Sequence, residues 1–242
     1  MWSKIDPYLE SAAKRYRVGI RSARALLIAP FAIVLIYGVL LSVPQSRPFA
    51  FRTMMENRPV ELLTFGFLLL AGIRGLALAR RARRERESWL LVGFYAVFSL
   101  LLLLVAMEEI SWGQTLLGFK TPEGLRGLNE QGELTLHNLQ GVSGHGEIMR
   151  IAFGAGGLAG VLVSFLGPFR KIGASPLLLG WFLVIFGASV ADFLLEKYKI
   201  GGFLFWRLKD QSEVIEMMIG FAALMYVYLN ARMLSAGWSS KA

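Results

Sequence analysis

The chain contains no cysteine. Disulfides, thiolate nucleophiles, Cys-bound zinc and iron–sulfur clusters are therefore excluded. Histidine is nearly absent as well, with only His137 and His145 in 242 residues. Imidazole chemistry is confined to that one stretch, and a three-His zinc site cannot be assembled. The usual nucleotide and protease signatures are missing too: there is no Walker A loop, no HExxH and no GxGxxG. Ser143 has no GxSxG elbow. Ser143-Gly144-His145 stands without the basic element and later histidine that lipid phosphatases require. Charge is sparse, at 18% of residues, and no acid falls at the centre of any apolar run.

What the chain has instead is length without charge. Hydrophobic residues make up 55% of it, and its mean hydropathy is +0.52. Several runs reach roughly 18–22 residues, enough to cross about 30 Å of hydrocarbon as a helix. A β-barrel would show alternating segments of about ten residues, which are not seen. The sequence therefore predicts one all-α, polytopic membrane domain over residues 1–242. Its six spans lie near 24–43, 60–79, 88–107, 148–167, 176–195 and 213–234. Pro44, Pro59 and Pro176 mark span boundaries, and Pro30 is placed to kink the first span. Gly156 and Gly160 form a GxxxG on the fourth span, which reads as close helix packing. Gly72 and Gly75 read the same way on the second.

Charge orients the spans. With the N-terminus inside, the inner segments hold 16 of the 26 Lys and Arg residues but 4 of the 17 acids. The inner face then carries a net +12 and the outer face −3. The Arg80–Arg86 cluster between spans two and three is the strongest determinant. By the positive-inside rule both termini are cytoplasmic and the long 108–147 loop is external. This asymmetry also accounts for the pI near 10 without invoking nucleic acid. The basic first 24 residues read as the start of a retained signal anchor.

The external loop is the one dense polar stretch. It opens EEISWGQ at Glu108 and runs to His137-Asn138. Neighbouring helical residues point about 100° apart, so at most one of Glu108 and Glu109 faces the bundle. Glu133 and His137 are spaced i, i+4, which on a helix would let the carboxylate orient the imidazole or share a metal with it. Glu213 and Glu216, i, i+3 at the start of span six, suit a helix N-terminus and stand on the same outer face. Asp192 and Glu196 are followed by Lys197 and Lys199, so local ion pairing is expected there. Glu108, Glu109 and His137 are the candidate catalytic groups. Glu61, Trp112, Gln114, Asn129, Gln131 and Asn138 are candidates for substrate contact or a structural polar network. Glu109, Glu133, His137, Glu213 and Glu216 are candidate ligands for a divalent metal.

This pattern resembles a family of uncharacterised bacterial multi-pass membrane proteins. The resemblance rests on Glu108–Gln114, on Thr121–Glu123, on Asn129–Glu133 with His137-Asn138, on Pro59–Thr64 at the start of span two, and on the acidic start of span six. It implies the membrane class and the bacterial inner membrane, and draws attention to the acid–His cluster, but it carries no reaction. Carboxylate plus imidazole suffices for hydrolysis or group transfer. The first expectation is thus an enzyme, metal-assisted, acting on a lipid or lipid-linked substrate at the outer leaflet. The alternative is a non-enzymatic subunit or assembly factor whose outer loop docks a membrane protein partner or a second copy. A small transporter ranks third, because transport sites favour the midplane and the span centres here are poor in polar groups.

Overall fold

The computed structural model describes residues 2–55, 58–126, 135, 146–199, 202 and 210–239. All regular structure among them is helical, and six helices are long and apolar enough to cross a membrane. In chain order the helices are α1 (Trp2–Arg15), α2 (Ile20–Ser42), α3 (Arg47–Met54), α4 (Pro59–Arg84), α5 (Trp89–Glu109), the single turns α6 (Gln114–Leu117) and α7 (Glu123–Arg126), α8 (Gly146–Val163), α9 (Leu179–Lys197) and α10 (Ser212–Ser239). The spans are α2, α4, α5, α8, α9 and α10.

Several boundaries differ from the sequence reading by four or five residues, and two of them have a plain local reason. α4 runs on to Arg84, past the expected end near 79, because arginine is a good helix former and favours the negative end of the helix dipole. α8 stops at Val163 rather than near 167. Ser164 turns its hydroxyl back onto the Val161 carbonyl at 2.8 Å, and Pro168, in a 3₁₀ turn at Gly167–Phe169, cannot continue a helix. The basic N-terminal segment is itself a helix: α1 buries Leu9 and Ala13, with Tyr16 just beyond its end.

The bundle is built from two packed groups. α4 lies between α5 and α10, and α8 pairs with α9, which also meets α2. Backbone proximity explains both groups. A Cβ on Gly72 would come within 2.6 Å of Leu103 on α5, and one on Gly220 within 3.1 Å of the Thr64 carbonyl on α4. On α8 the packing face is one residue out of step with the GxxxG reading. A Cβ on Gly154 would meet the Phe186 backbone at 2.8 Å, and one on Gly157 would strike the Phe182 ring, whereas Gly156 faces open space. Gly160 does pack, against Ala174 at 3.2 Å.

Proline and backbone polarity are settled by neighbours. Pro30 lacks the N–H that would bond the Leu26 carbonyl inside α2. Trp181 of α9 supplies a donor instead, its Nε1 reaching Leu26 O at 2.7 Å. The last carbonyls of α2 are met by Ser46 Oγ on Leu40 O (2.8 Å) and Arg47 Nε on Leu41 O (2.9 Å). In the 171–173 loop, Tyr95 donates to Lys171 O (2.8 Å), Tyr226 to Ile172 O (2.6 Å) and Asn230 to Gly173 O (3.1 Å). Such satisfaction is mandatory where water is absent.

The outer surface of the spans is apolar, as lipid solvation requires. Val97, Leu100 and Leu101 on α5 and Leu162 on α8 are all more than half exposed. The two ends of the bundle differ in chemistry. One gathers α1, the Arg80–Arg84 turn, the 165–175 loop and the end of α10. The other gathers the ends of α5 and α9 with the starts of α4, α8 and α10, and it carries the candidate site.

Candidate functional site at the acidic end

α5 ends in the two adjacent glutamates, and their side chains part as helical geometry dictates. Glu108 turns toward the emerging loop and accepts a 2.6 Å hydrogen bond from Trp112 Nε1. Glu109 is half-buried, with Glu216, Glu213, Glu61 and Glu108 all near enough to act on it electrostatically. Glu109 is therefore the inward member of the pair.

The chain leaves α5 through a strained turn. Ser111, Trp112 and Gly113 have φ of 47°, 56° and 81°, consecutive left-handed residues of which only the glycine adopts that region freely. The turn folds the loop back on itself. Gln114 Nε2 donates to Thr121 Oγ1 at 2.8 Å, and Thr121 is buried.

The strongest polar contact comes from a residue the sequence reading left out. Arg150, in the second turn of α8, is 9% exposed. Its Nη1 donates to Glu216 Oε1 at 2.7 Å and its Nη2 to Asp192 Oδ2 at 2.8 Å. A single guanidinium thus ties α8 to α9 and to α10. This corrects the expectation for Asp192, whose ion-pair partner is Arg150. Lys197 lies over the rings of Phe193 and Tyr198 instead. A lone arginine near the start of an apolar span, with an acid near the end of the next, was the available sign.

The structure thus gathers Glu61, Glu108, Glu109, Glu213 and Glu216 at one end, with Arg150 and Asp192. Trp112 and Gln114 lie in the turn beside them. Asn129, Gln131, Glu133, His137 and Asn138 fall outside the described residues. Among the described residues no group of three or more His, Cys, Asp or Glu is arranged to hold a metal ion, and one oxygen of Glu216 is already engaged by Arg150.

An apolar groove of about 420 Å³ runs along α8 from Ala152, two residues from Arg150, to Val163, and reaches Ile172 and Ala174 at the basic end. Phe94 and Phe98 of α5 form one wall, Phe153, Gly156 and Gly160 of α8 the other, and Ala223 and Tyr226 of α10 the floor. Each of these helices carries a cluster residue on the same face. Phe153 is three residues from Arg150, and Phe98 eleven from Glu109. Ala223 is seven from Glu216, about 10 Å along the axis at the rise of a helix. The groove exists because α8 presents Ala152, Gly156 and Ala159 there instead of larger side chains.

No family model, curated protein or solved structure matches the chain. The membrane-spanning helical class rests on the sequence and the fold together.

Proposed function

We propose that this integral membrane protein is an enzyme, a hydrolase or group transferase, acting on a lipid or lipid-linked substrate at the outer face of the bacterial inner membrane. The observation that carries the proposal is the vertical order of the site: a charged cluster at the helix ends with an apolar groove beneath it. An amphiphile has that same order, polar group above and chain below. Pockets that combine apolar walls with a few convergent polar groups are the usual form of small-molecule sites. In this reading the basic end is cytoplasmic, as charge asymmetry favours.

Glu109 is assigned the proton-transfer role, exchanging a proton with the reacting group. Arg150 is a positioning residue, since it fixes Glu216 and Asp192 and closes the α8 side of the cluster. His137, with Glu133 four residues before it in the sequence, is the proposed partner in proton transfer. Were a divalent metal to take part, Glu109, Glu213 and the second oxygen of Glu216 would have to be joined by Glu133 and His137, since Arg150 engages Glu216 Oε1. It would supply Lewis-acid polarisation of the scissile group.

The test compares lipid extracts of cells expressing wild-type or variant protein, followed by assay of the accumulating species with reconstituted protein. Glu109→Gln is expected to lower turnover by about 10²–10⁴-fold, the usual worth of a general acid–base group. Gly156→Trp, which fills the groove from an unpacked position, is expected to raise KM. Wild-type lipid profiles and turnover in the Glu109→Gln strain would remove the enzymatic reading. A second reading has its own support, since Glu108–Trp112 and Gln114–Thr121 are internal bonds that shape the loop, as a docking surface requires. In that case Trp112→Ala would lose a co-purifying membrane partner that Glu109→Gln retains.

A further inference from the structure

The opposite, basic end holds a second set of features that the acidic site does not use. A cavity of about 320 Å³ lies between α1, the 167–171 turn and the end of α10. Its walls include Arg15, Arg170 and Lys171 against the single acid Glu87, with Trp238 and Met233 supplying apolar surface. Glu87 accepts from Lys171 Nζ at 2.5 Å and from Trp238 Nε1 at 2.9 Å. Among the described residues no carboxylate pairs with Arg15 or Arg170. Arg15 spends its donors on the Arg170 carbonyl at 3.1 Å and the Ser164 carbonyl at 3.4 Å. It thereby pins the turn that presents Arg170, and caps the end of α8. Burial lowers the pKa of Arg15, Tyr16 works the other way, and the charge of Arg170 lowers it further. A built excess of positive charge with an unneutralised arginine at its rim calls for an anion.

A second, larger groove of about 840 Å³ starts beside the same lysine. Lys171 borders both spaces, and the groove continues along α5 past Trp89, Phe94, Val97 and Leu101, with Phe169 opposite. Trp89 and Trp238 stand at helix ends, where indoles mark the headgroup level of a bilayer. The stacked rings of Phe94 and Phe98, 5.9 Å apart, line this groove and also the smaller one along α8, and form the ridge between them.

We propose that this end binds an anionic phospholipid, with its phosphate at Arg170 and Lys171 and an acyl chain laid along α5 between Trp89 and Leu101. A free anion would have no use for the groove, and a neutral lipid none for the cations. The headgroup site shares no residue with the acidic cluster, and the chain groove meets the other groove at Phe94, Phe98 and Ile172. Basic pockets at the ends of membrane helices bind anionic headgroups by the same electrostatics, each basic residue contributing a factor of about five in affinity.

The experiment titrates purified protein in non-ionic detergent with phosphatidylglycerol, with phosphatidylcholine of the same chains, and with inorganic phosphate. Bound lipid is read by native mass spectrometry. Wild-type protein is expected to retain phosphatidylglycerol at concentrations where phosphatidylcholine is lost. Arg170→Gln, at an exposed side chain, should weaken phosphatidylglycerol about fivefold, and Arg170→Gln with Lys171→Gln should abolish the preference. Leu101→Trp, at a lipid-facing position, should weaken both lipids and leave the preference intact. Equal retention of the two lipids by wild-type protein overturns the proposal. So does displacement of phosphatidylglycerol by millimolar inorganic phosphate, which would make the pocket a simple anion site.

Discussion

At the scale of single residues, Arg150 decides how the acidic end holds together. Its guanidinium and the Asp192 carboxylate are both about nine-tenths buried, and the Glu216 contact is partly open. Removing one partner of a buried pair leaves an uncompensated charge, at a cost of about 3–5 kcal/mol. Arg150→Met is therefore expected to lower the melting temperature sharply in a fixed detergent. Asp192→Asn added to it should recover part of the loss, since it removes one of the two stranded carboxylates. An unchanged melting temperature in Arg150→Met would show that the pair contributes nothing to stability. This pair also marks where sequence reasoning stopped. Glu108, Glu109, Glu213 and Glu216 stand out as polar islands at the ends of apolar runs, and their convergence on one end follows from alternating span direction. The partner of Asp192 lies 42 residues earlier and that of Glu216 66 residues earlier, while lysines sit within a turn or two of Asp192. Local sequence offers the nearer cation, and only the packing of α8 against α9 selects the farther one.

At the scale of elements, α8 shows how a small-residue motif can be recognised and yet be set on the wrong face. Gly156 and Gly160 suggest one packing stripe, but the close approach runs through Gly154 and Gly157, with Gly160 alone shared. A shift of one residue turns the face by about 100°. The sequence cannot decide between the two stripes because α8 carries glycine or alanine at 152, 154–157, 159 and 160. The other stripe is left for the groove. Alanine separates the roles. Gly154→Ala places a methyl against the Phe186 backbone, which cannot move without shifting α9, and overpacking of this kind costs about 1–3 kcal/mol. Gly156→Ala meets nothing and is expected to be neutral, or mildly stabilising through better helix propensity. Thermal unfolding of the two variants side by side checks this, and equal destabilisation would place both glycines in the packed face.

At the scale of the whole molecule, the number of spans was legible because the bilayer imposes it. A helix must satisfy its own backbone and cover a fixed thickness, so uncharged length alone reveals it. The added helices α1 and α3 were not legible in the same way, since each is short and owes its place to packing on its neighbours. Orientation rests on a different quantity, the distribution of Lys and Arg. The absence of cysteine makes it directly measurable, because any introduced thiol is unique in the chain. Lys120 and Arg84 are both exposed, the first in the loop after α5 and the second at the basic end of α4. With the basic end cytoplasmic, Lys120→Cys in intact cells stripped of the outer membrane should react with a membrane-impermeant maleimide. Arg84→Cys should react only after permeabilisation. Replacing one arginine of the Arg80–Arg86 cluster leaves the bias intact, so the probe does not itself invert the protein. The reverse labelling pattern would turn the molecule over. It would move the acidic cluster and its groove to the cytoplasmic leaflet, and the substrate sought for Glu109 would then be one presented from inside the cell.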